Sequence, residues 1–247
     1  MPKASNGDIN IYYEVEGEGP PLVLAHGGTA DSSLWGRYRY TNALKSDFQL
    51  VLFDARGHGK SDKPHDHASY EQSIMVEDVI AVLDDMGLSK AHYLGFSLGA
   101  LIGYILAAKH AERFLSFTLM EMNPLRFPES NIQSIKMAIE GYKALAIDPE
   151  AALKEFEKHF KRSFTPNEKK SFLARDGVAL VASMESQLDW PKLSENDLSQ
   201  ITLPCLIMCG ELDPWATGSE DVASSIPNSR FVYLPGLNHG QVWESND

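Results

Sequence analysis

The chain has 247 residues, 43% hydrophobic and 23% charged, which suits one globular domain with a full core and room for an insertion. With 34 acids against 22 Lys and Arg the formal net charge is −12. That balance argues against nucleic acid and disfavours a polyanionic substrate, because both require a basic footprint. The polar start Met1-Pro2-Lys3-Ala4-Ser5-Asn6-Gly7-Asp8 does not resemble a signal peptide, and no stretch approaches the length of a membrane helix.

Taken in order, Ile9 to Val15 alternates as a strand and ends in the turn Gly17-Glu18-Gly19-Pro20. Pro21 to Ala25 and Leu50 to Phe53 are continuous apolar runs, as expected of central parallel strands. Ser32 to Lys45 reads as a helix between them. Tyr70 to Met86 carries Ile74, Val79, Val82, Leu83 and Met86 on one helical stripe, with Gly87 as its stop. Ala91 to Leu94 reads as a short buried strand, Ala100 to His110 as a helix and Phe114 to Met120 as another strand. Strands alternating with helices imply a parallel sheet covered on both faces.

The rhythm breaks at Glu121-Met122-Asn123-Pro124. Four helical stretches then follow without an intervening strand: Ile132 to Ile147, Pro149 to Arg162, Pro166 to Arg175 and Val178 to Gln187. Asp148-Pro149 and Thr165-Pro166 are helix starts, an N-cap followed by proline. The expected division is a core of 1–122 and 201–247 with a helical insertion at 123–200. The sheet resumes with Pro204 to Cys209, the helix Ser219 to Ser225 and the strand Arg230 to Leu234. Both cysteines, Cys205 and Cys209, fall in one strand roughly 13 Å apart. A disulfide requires Cα atoms within about 7 Å, so the reading is two buried thiols in a reducing cytoplasm.

Gly95-Phe96-Ser97-Leu98-Gly99 fits the pattern G-x-S-x-G between a strand and a helix. A strand that turns sharply into a helix projects its turn residue at the sheet edge, and the helix N-terminus points at whatever that residue attacks. Ser97 is therefore the expected nucleophile. A serine hydroxyl requires a base, and His239 sits in the loop after the last strand. The base requires an orienting acid, and Asp213 follows the penultimate strand directly. Glu211, on the same loop, and Glu121, at the end of the strand after the serine helix, are rival acids. Two backbone amides should hold the developing oxyanion: that of Leu98, and that of Gly28 (with Gly27 next) in the loop His26-Gly27-Gly28-Thr29. Asp54 to Asp62 reads as a hydrogen-bonded loop supporting the site. His65 and His67 lie in a polar loop without further metal ligands, and neither metal nor organic cofactor is expected.

Together these residues resemble the α/β-hydrolase superfamily: His26-Gly27-Gly28, Asp54 to Asp62, Gly95 to Gly99, Asp213 and His239, in an order that covers Ile9 to Gly240. The chain is similar to the branch of small carboxylesterases, enol-lactone hydrolases, carbon–carbon bond hydrolases and cofactor-free haloperoxidase-like esterases. The resemblance implies a mostly parallel eight-stranded sheet with helices on both faces and a helical cap after the sixth strand. Superfamily members that are haloalkane dehalogenases and epoxide hydrolases carry aspartate where this chain has Ser97.

The expected activity is hydrolysis of carboxylic ester or lactone bonds in small to medium apolar substrates through an acyl-enzyme. Phe96, Leu125, Phe127, Met137, Trp190 and Trp215 are the expected pocket-lining residues. A carbon–carbon bond hydrolase or lyase with the same triad, and a ligand-sensing receptor on the same fold, are the alternatives. Members of the family usually close with a long helix after the catalytic histidine. Here Gly240 to Asp247 leaves room for a short helix only, or marks a truncated product whose sheet would be partly uncovered.

Overall fold

The computed structural model describes residues 2–243, so the end of the stretch in question, 244–247, lies outside the described residues. Eight strands form one sheet: β1 (Lys3–Asn6), β2 (Ile9–Glu16), β3 (Pro21–Ala25), β4 (Gln49–Phe53), β5 (Ala91–Phe96), β6 (Phe114–Met120), β7 (Cys205–Gly210) and β8 (Ser229–Leu234). Their spatial order is β1-β2-β4-β3-β5-β6-β7-β8. β1 and β2 pair antiparallel, as do β2 and β4, and every later pairing is parallel. β1, a polar segment with no apolar run, is an addition to the expected elements.

Alternation along the strands divides the core into two layers. Val23, Val51 and Tyr93 face one side, beneath α3 (Gln72–Asp85) and α4 (Leu98–Lys109). Leu22, Leu24, Leu50, Leu52 and Leu94 face the other, against Trp35 and Trp243. The helix expected over Ser32 to Lys45 is two short ones, α1 (Ser33–Arg37) and α2 (Tyr40–Leu44). Arg39 breaks it with a left-handed φ of 68°, which brings Trp35, Tyr40 and Trp243 into mutual edge contacts of 4.9–5.5 Å.

Between β6 and β7 the chain is helical: α5 (Glu129–Ile147), α6 (Pro149–His159), α7 (Pro166–Leu173), α8 (Gly177–Asp189) and the short α9 (Glu195–Ser199). The last was not anticipated. Asp148 caps α6 by accepting from the Ala151 amide, and Thr165 with Glu168 forms a capping box on α7. α5 to α8 carry a small apolar cluster of their own, with Tyr142, Leu153, Phe172 and Leu180 buried. Ties to the sheet layer come from Ser186 Oγ and Trp190 Nε1, both donating to the Tyr70 carbonyl. His65 and His67 add pairings with Asp176 and Asp189. α10 (Ser219–Ser224) completes the sheet crossover before β8. No helix among the described residues is long and apolar enough to cross a membrane.

Candidate active site

Three strand ends converge on one point. β5 ends at Phe96, and Ser97 then adopts φ 53°, ψ −112° before α4 begins at Leu98. This is an unfavourable backbone for a residue with a Cβ, and it is over-determined by its surroundings. The Ser97 amide donates to Met120 O on β6, and its carbonyl accepts from Leu101 in the first turn of α4. The flanking glycines are required sterically. A Cβ on Gly99 would collide with the Ala25 carbonyl at the end of β3, and one on Gly95 with the Gly99 carbonyl.

Asp213 stands on the loop after β7 and His239 on the loop after β8. His239 Nε2 lies 3.1 Å from Ser97 Oγ, and its Nδ1 lies 2.8 Å from Asp213 Oδ2. These partners assign the ring: Nδ1–H donates to the carboxylate, and Nε2 is left to accept the serine proton. The Asp213 carboxyl is buried, with Oδ1 accepting from the Trp215 amide at 2.9 Å. Burial pushes Asp213 up, but the hydrogen bond with His239, the adjoining Glu121 carboxyl and the Trp215 amide outweigh it and hold Asp213 below its ordinary range. Glu211 turns elsewhere and accepts from the Gly236 amide.

Glu121 is fully buried at the end of β6, with φ 60°. Its Oε1 accepts from the Gly210 amide at 2.6 Å, while Oε2 lies 4.0 Å from His239 Nδ1. Burial first, then the hydrogen bond with Asp213 and the charge beside it, push this carboxyl up to about 9. Glu121, Asp213 and His239 form the one grouping of three potential metal-binding side chains among the described residues. His239 Nδ1 and Asp213 Oδ2 are engaged with each other at 2.8 Å.

Gly28 and Leu98 border the same cavity as Ser97 and His239. Leu98 is the first residue of α4, so its N–H has no carbonyl within the helix. A Cβ at Gly28 would meet nothing within 4 Å, so the backbone there faces open space, whereas Gly27 is pressed against Phe96 and Ser97. The loop is riveted by two imidazoles. His26 Nε2 accepts from the Ala55 amide at 3.0 Å, and His58 Nε2 accepts from the Thr29 amide at 3.1 Å. Asp54 accepts from the Ser32 and Lys60 amides, both at 2.7 Å, tying the Asp54–Asp62 loop to the same scaffold.

The cavity at Ser97 holds about 230 Å³. Phe127 and Trp215 line it, joined by Ile135 and Ala138 of α5 and by Leu180 and Met184 of α8. The other four expected lining residues lie elsewhere. Phe96 points to the opposite face of β5 and packs behind the site, with its ring centroid 5.0 Å from that of His239 and 4.2 Å from that of Trp243. Trp190 is buried with its indole N–H on the Tyr70 carbonyl, and Leu125 packs against the main core. Met137 is 64% exposed and borders a separate surface groove with Phe156 and Phe160. The next residue, Ala138, is rotated by about 100° around the helix, which is why it and not Met137 meets the site. A larger groove of about 680 Å³ runs alongside, sharing Thr29, His58 and Leu180 but none of Ser97, Asp213 or His239. Ser97 and His239 border the smaller cavity.

A mostly parallel eight-stranded sheet with a serine at the strand–helix turn, and an acid and a histidine after the last two strands, has the layout of an α/β hydrolase. Residues 20–141 match the family described as alpha/beta hydrolase fold. The chain belongs to the α/β-hydrolase superfamily. The enol-lactonase from Burkholderia xenovorans LB400 is similar in structure, at TM-score 0.76 and 26% identity over 94% of this chain and 91% of that one. So is a hydrolase from Pseudomonas aeruginosa PA01, at TM-score 0.81 and 25% identity over 98% and 92%. In sequence, a protein of Azorhizobium caulinodans named as a carbamate hydrolase, RutD, is 34% identical over 120 residues. That match covers 49% of this chain and 44% of that relative, so the chain aligns with less than half of its length.

Proposed function

We propose that the protein is a serine hydrolase that cleaves carboxylic ester or lactone bonds of small to medium apolar substrates through an acyl-enzyme. One observation carries this reading: Ser97 Oγ, His239 and Asp213 form a continuous hydrogen-bonded chain that opens into an apolar cavity of about 230 Å³. The likeness to an enol-lactonase over nearly the whole chain supports it.

His239 takes the Ser97 proton as the hydroxyl attacks the carbonyl carbon, and Asp213 steadies the imidazolium. The Gly28 and Leu98 amides receive the charge that develops on the carbonyl oxygen, worth about 10²–10³ in rate per donor. His239 then protonates the leaving alcohol, which departs as the ester C–O bond breaks. A water deprotonated by His239 attacks the acyl-enzyme, and Ser97 regains its proton as the carboxylic acid leaves. Residues 123–200 act as a cap that walls the acyl pocket. The helix dipole of α4 adds positive potential at the same carbonyl oxygen.

Steady-state hydrolysis of p-nitrophenyl acetate and butyrate by the protein and by Ser97→Ala tests this reading. Turnover that falls by about 10⁴ or more in the variant supports it. Turnover retained in Ser97→Ala, or a folded protein inert toward esters but active on a vinylogous diketone, overturns the ester reading.

A further inference from the structure

A second cavity of about 230 Å³ lies where the helices that follow β6 meet the layer carrying α1. Arg37, the last residue of α1, borders it together with Arg162, between α6 and α7, and Arg175, between α7 and α8. Glu168 is the one acid among its lining residues. In a chain with 34 acids against 22 Lys and Arg, three arginines to one acid reverses the overall balance. None of Ser97, Asp213 and His239 takes part, and Thr29 is the one wall residue shared with the cavity at Ser97.

The single acid is already balanced. Glu168 accepts from Arg162 through both oxygens, at 3.1 and 2.8 Å, and from the Thr165 amide at 2.7 Å. These bonds hold its carboxyl down at about 2, so it is ionised and spent at neutral pH. Arg37 and Arg175 then have no carboxylate within ion-pair reach among the described residues. Asp176, beside Arg175 in sequence, accepts from the Ala179 amide and pairs with His65. Asp31, whose charge reaches Arg37, accepts from the Ser33 amide and hydroxyl. Arg175 is half-buried, its guanidinium 5.4 Å from the centre of the Phe172 ring and its Nη1 donating to the Tyr142 hydroxyl at 3.0 Å. Those contacts orient the planar head and leave most of its N–H donors unused. Phe160 and Phe164 supply apolar wall beside the arginines, and Phe160 is 56% exposed.

We propose that this cavity binds a small aromatic carboxylate, with its anionic end on Arg175 and Arg37 and its ring against Phe160 and Phe164. A guanidinium fork matches the two oxygens of a carboxylate, and aromatic walls favour a ring over an alkyl chain. At about 230 Å³ the cavity falls below the roughly 300–1,000 Å³ of sites for drug-sized ligands, which limits the ligand to about one ring. Arg37 belongs to α1 and Arg175 to the helices after β6, so a bound anion ties the two layers together. The site is independent of the reading of Ser97 as a nucleophile.

Isothermal titration calorimetry of the full chain with benzoate at low ionic strength tests it. One benzoate per chain is expected, and benzamide, of the same shape without the charge, binds at least about tenfold more weakly. Arg175→Gln and Arg37→Gln each weaken benzoate binding by about tenfold or more. Thermal unfolding gives a second readout: benzoate raises the Tm of the unaltered protein and raises that of Arg37→Gln much less. Arg37 is exposed and its side chain makes no hydrogen bond among the described residues, so Arg37→Gln leaves the fold intact even where Arg175→Gln does not. The proposal is overturned by the absence of binding at millimolar benzoate, or by equal affinity for benzamide. Benzoate binding that neither arginine variant weakens overturns it as well, and places the ligand in the apolar cavity at Ser97 instead. Acetate binding as tightly as benzoate also overturns it, because the rings would then contribute nothing.

Discussion

The Thr29 amide donates to His58 Nε2 at 3.1 Å, so a buried imidazole holds the loop that carries Gly28. The other ring nitrogen, Nδ1, donates to the Arg56 carbonyl at 2.9 Å, which fixes the neutral tautomer. Thr29 itself has φ 66°, a conformation that the hydrogen bond helps to hold. His58→Phe leaves the Thr29 N–H without its acceptor, at a cost of about 1–3 kcal/mol. It should also lower kcat by roughly tenfold by loosening the Gly28 amide proposed to hold the oxyanion, a fraction of the 10²–10³ that loss of a whole donor costs. Urea denaturation and ester kinetics on the same preparation check both.

The same histidine makes stability depend on pH in a stated direction. Burial, then the neighbouring His26, push His58 down to about 3 from its ordinary 6.5. Between those values the unfolded chain binds a proton that the folded chain refuses, so stability is present above about pH 6.5 and is lost as pH falls toward 3. His58→Phe should flatten that limb. Thermal unfolding from pH 7 to pH 4 measures it, and an unchanged difference between wild type and variant across the range would refute it.

Arg56 and Asp78 form a buried bidentate pair, with Nε to Oδ2 at 2.6 Å and Nη2 to Oδ1 at 2.5 Å. Arg56 also donates to the Ser69 carbonyl, and Asn6 donates to Asp78. The pair pins the Asp54–Asp62 loop to α3. Arg56→Met leaves a buried carboxylate uncompensated and should cost about 3–5 kcal/mol by urea denaturation. Arg56→Met with Asp78→Leu should cost much less than the single change, because neither partner is then stranded.

Much of this site was legible because its parts are local. The strand before Ser97, the glycines on either side of it and the loop positions of Asp213 and His239 are each fixed by a few neighbouring residues. The helix starts at Asp148 and Thr165 were legible for the same reason, each being an N-cap followed by proline. What local pattern could not reveal was orientation. Phe96 faces away from the cavity because β5 alternates, and Met137 misses it by one helical step, and both depend on how whole elements dock. Glu121 ranked as a rival acid because its position after β6 was visible; its burial against Asp213 was not, since β6 and β7 meet only in the folded sheet. β1 was missed because Lys3-Ala4-Ser5-Asn6 carries no apolar run and is held by pairing with β2.

Ala138 on α5 lines the cavity at Ser97, and a larger side chain there should shorten the acyl chain that fits. Each methylene in an apolar pocket is worth about 1–3 kcal/mol of discrimination. Ala138→Leu should lower kcat/KM for p-nitrophenyl hexanoate by tenfold or more and leave the acetate within about threefold. An equal loss on both esters would place Ala138 outside the acyl pocket.

The most direct measurement is intact-protein mass spectrometry after brief exposure to an activated phosphonate ester, with peptide mapping of the adduct. A single phosphonyl group on Ser97, absent from Ser97→Ala and slowed in His239→Ala, is the expected result. No adduct on a folded protein, or an adduct that persists in Ser97→Ala, would contradict the assignment of Ser97 as the nucleophile.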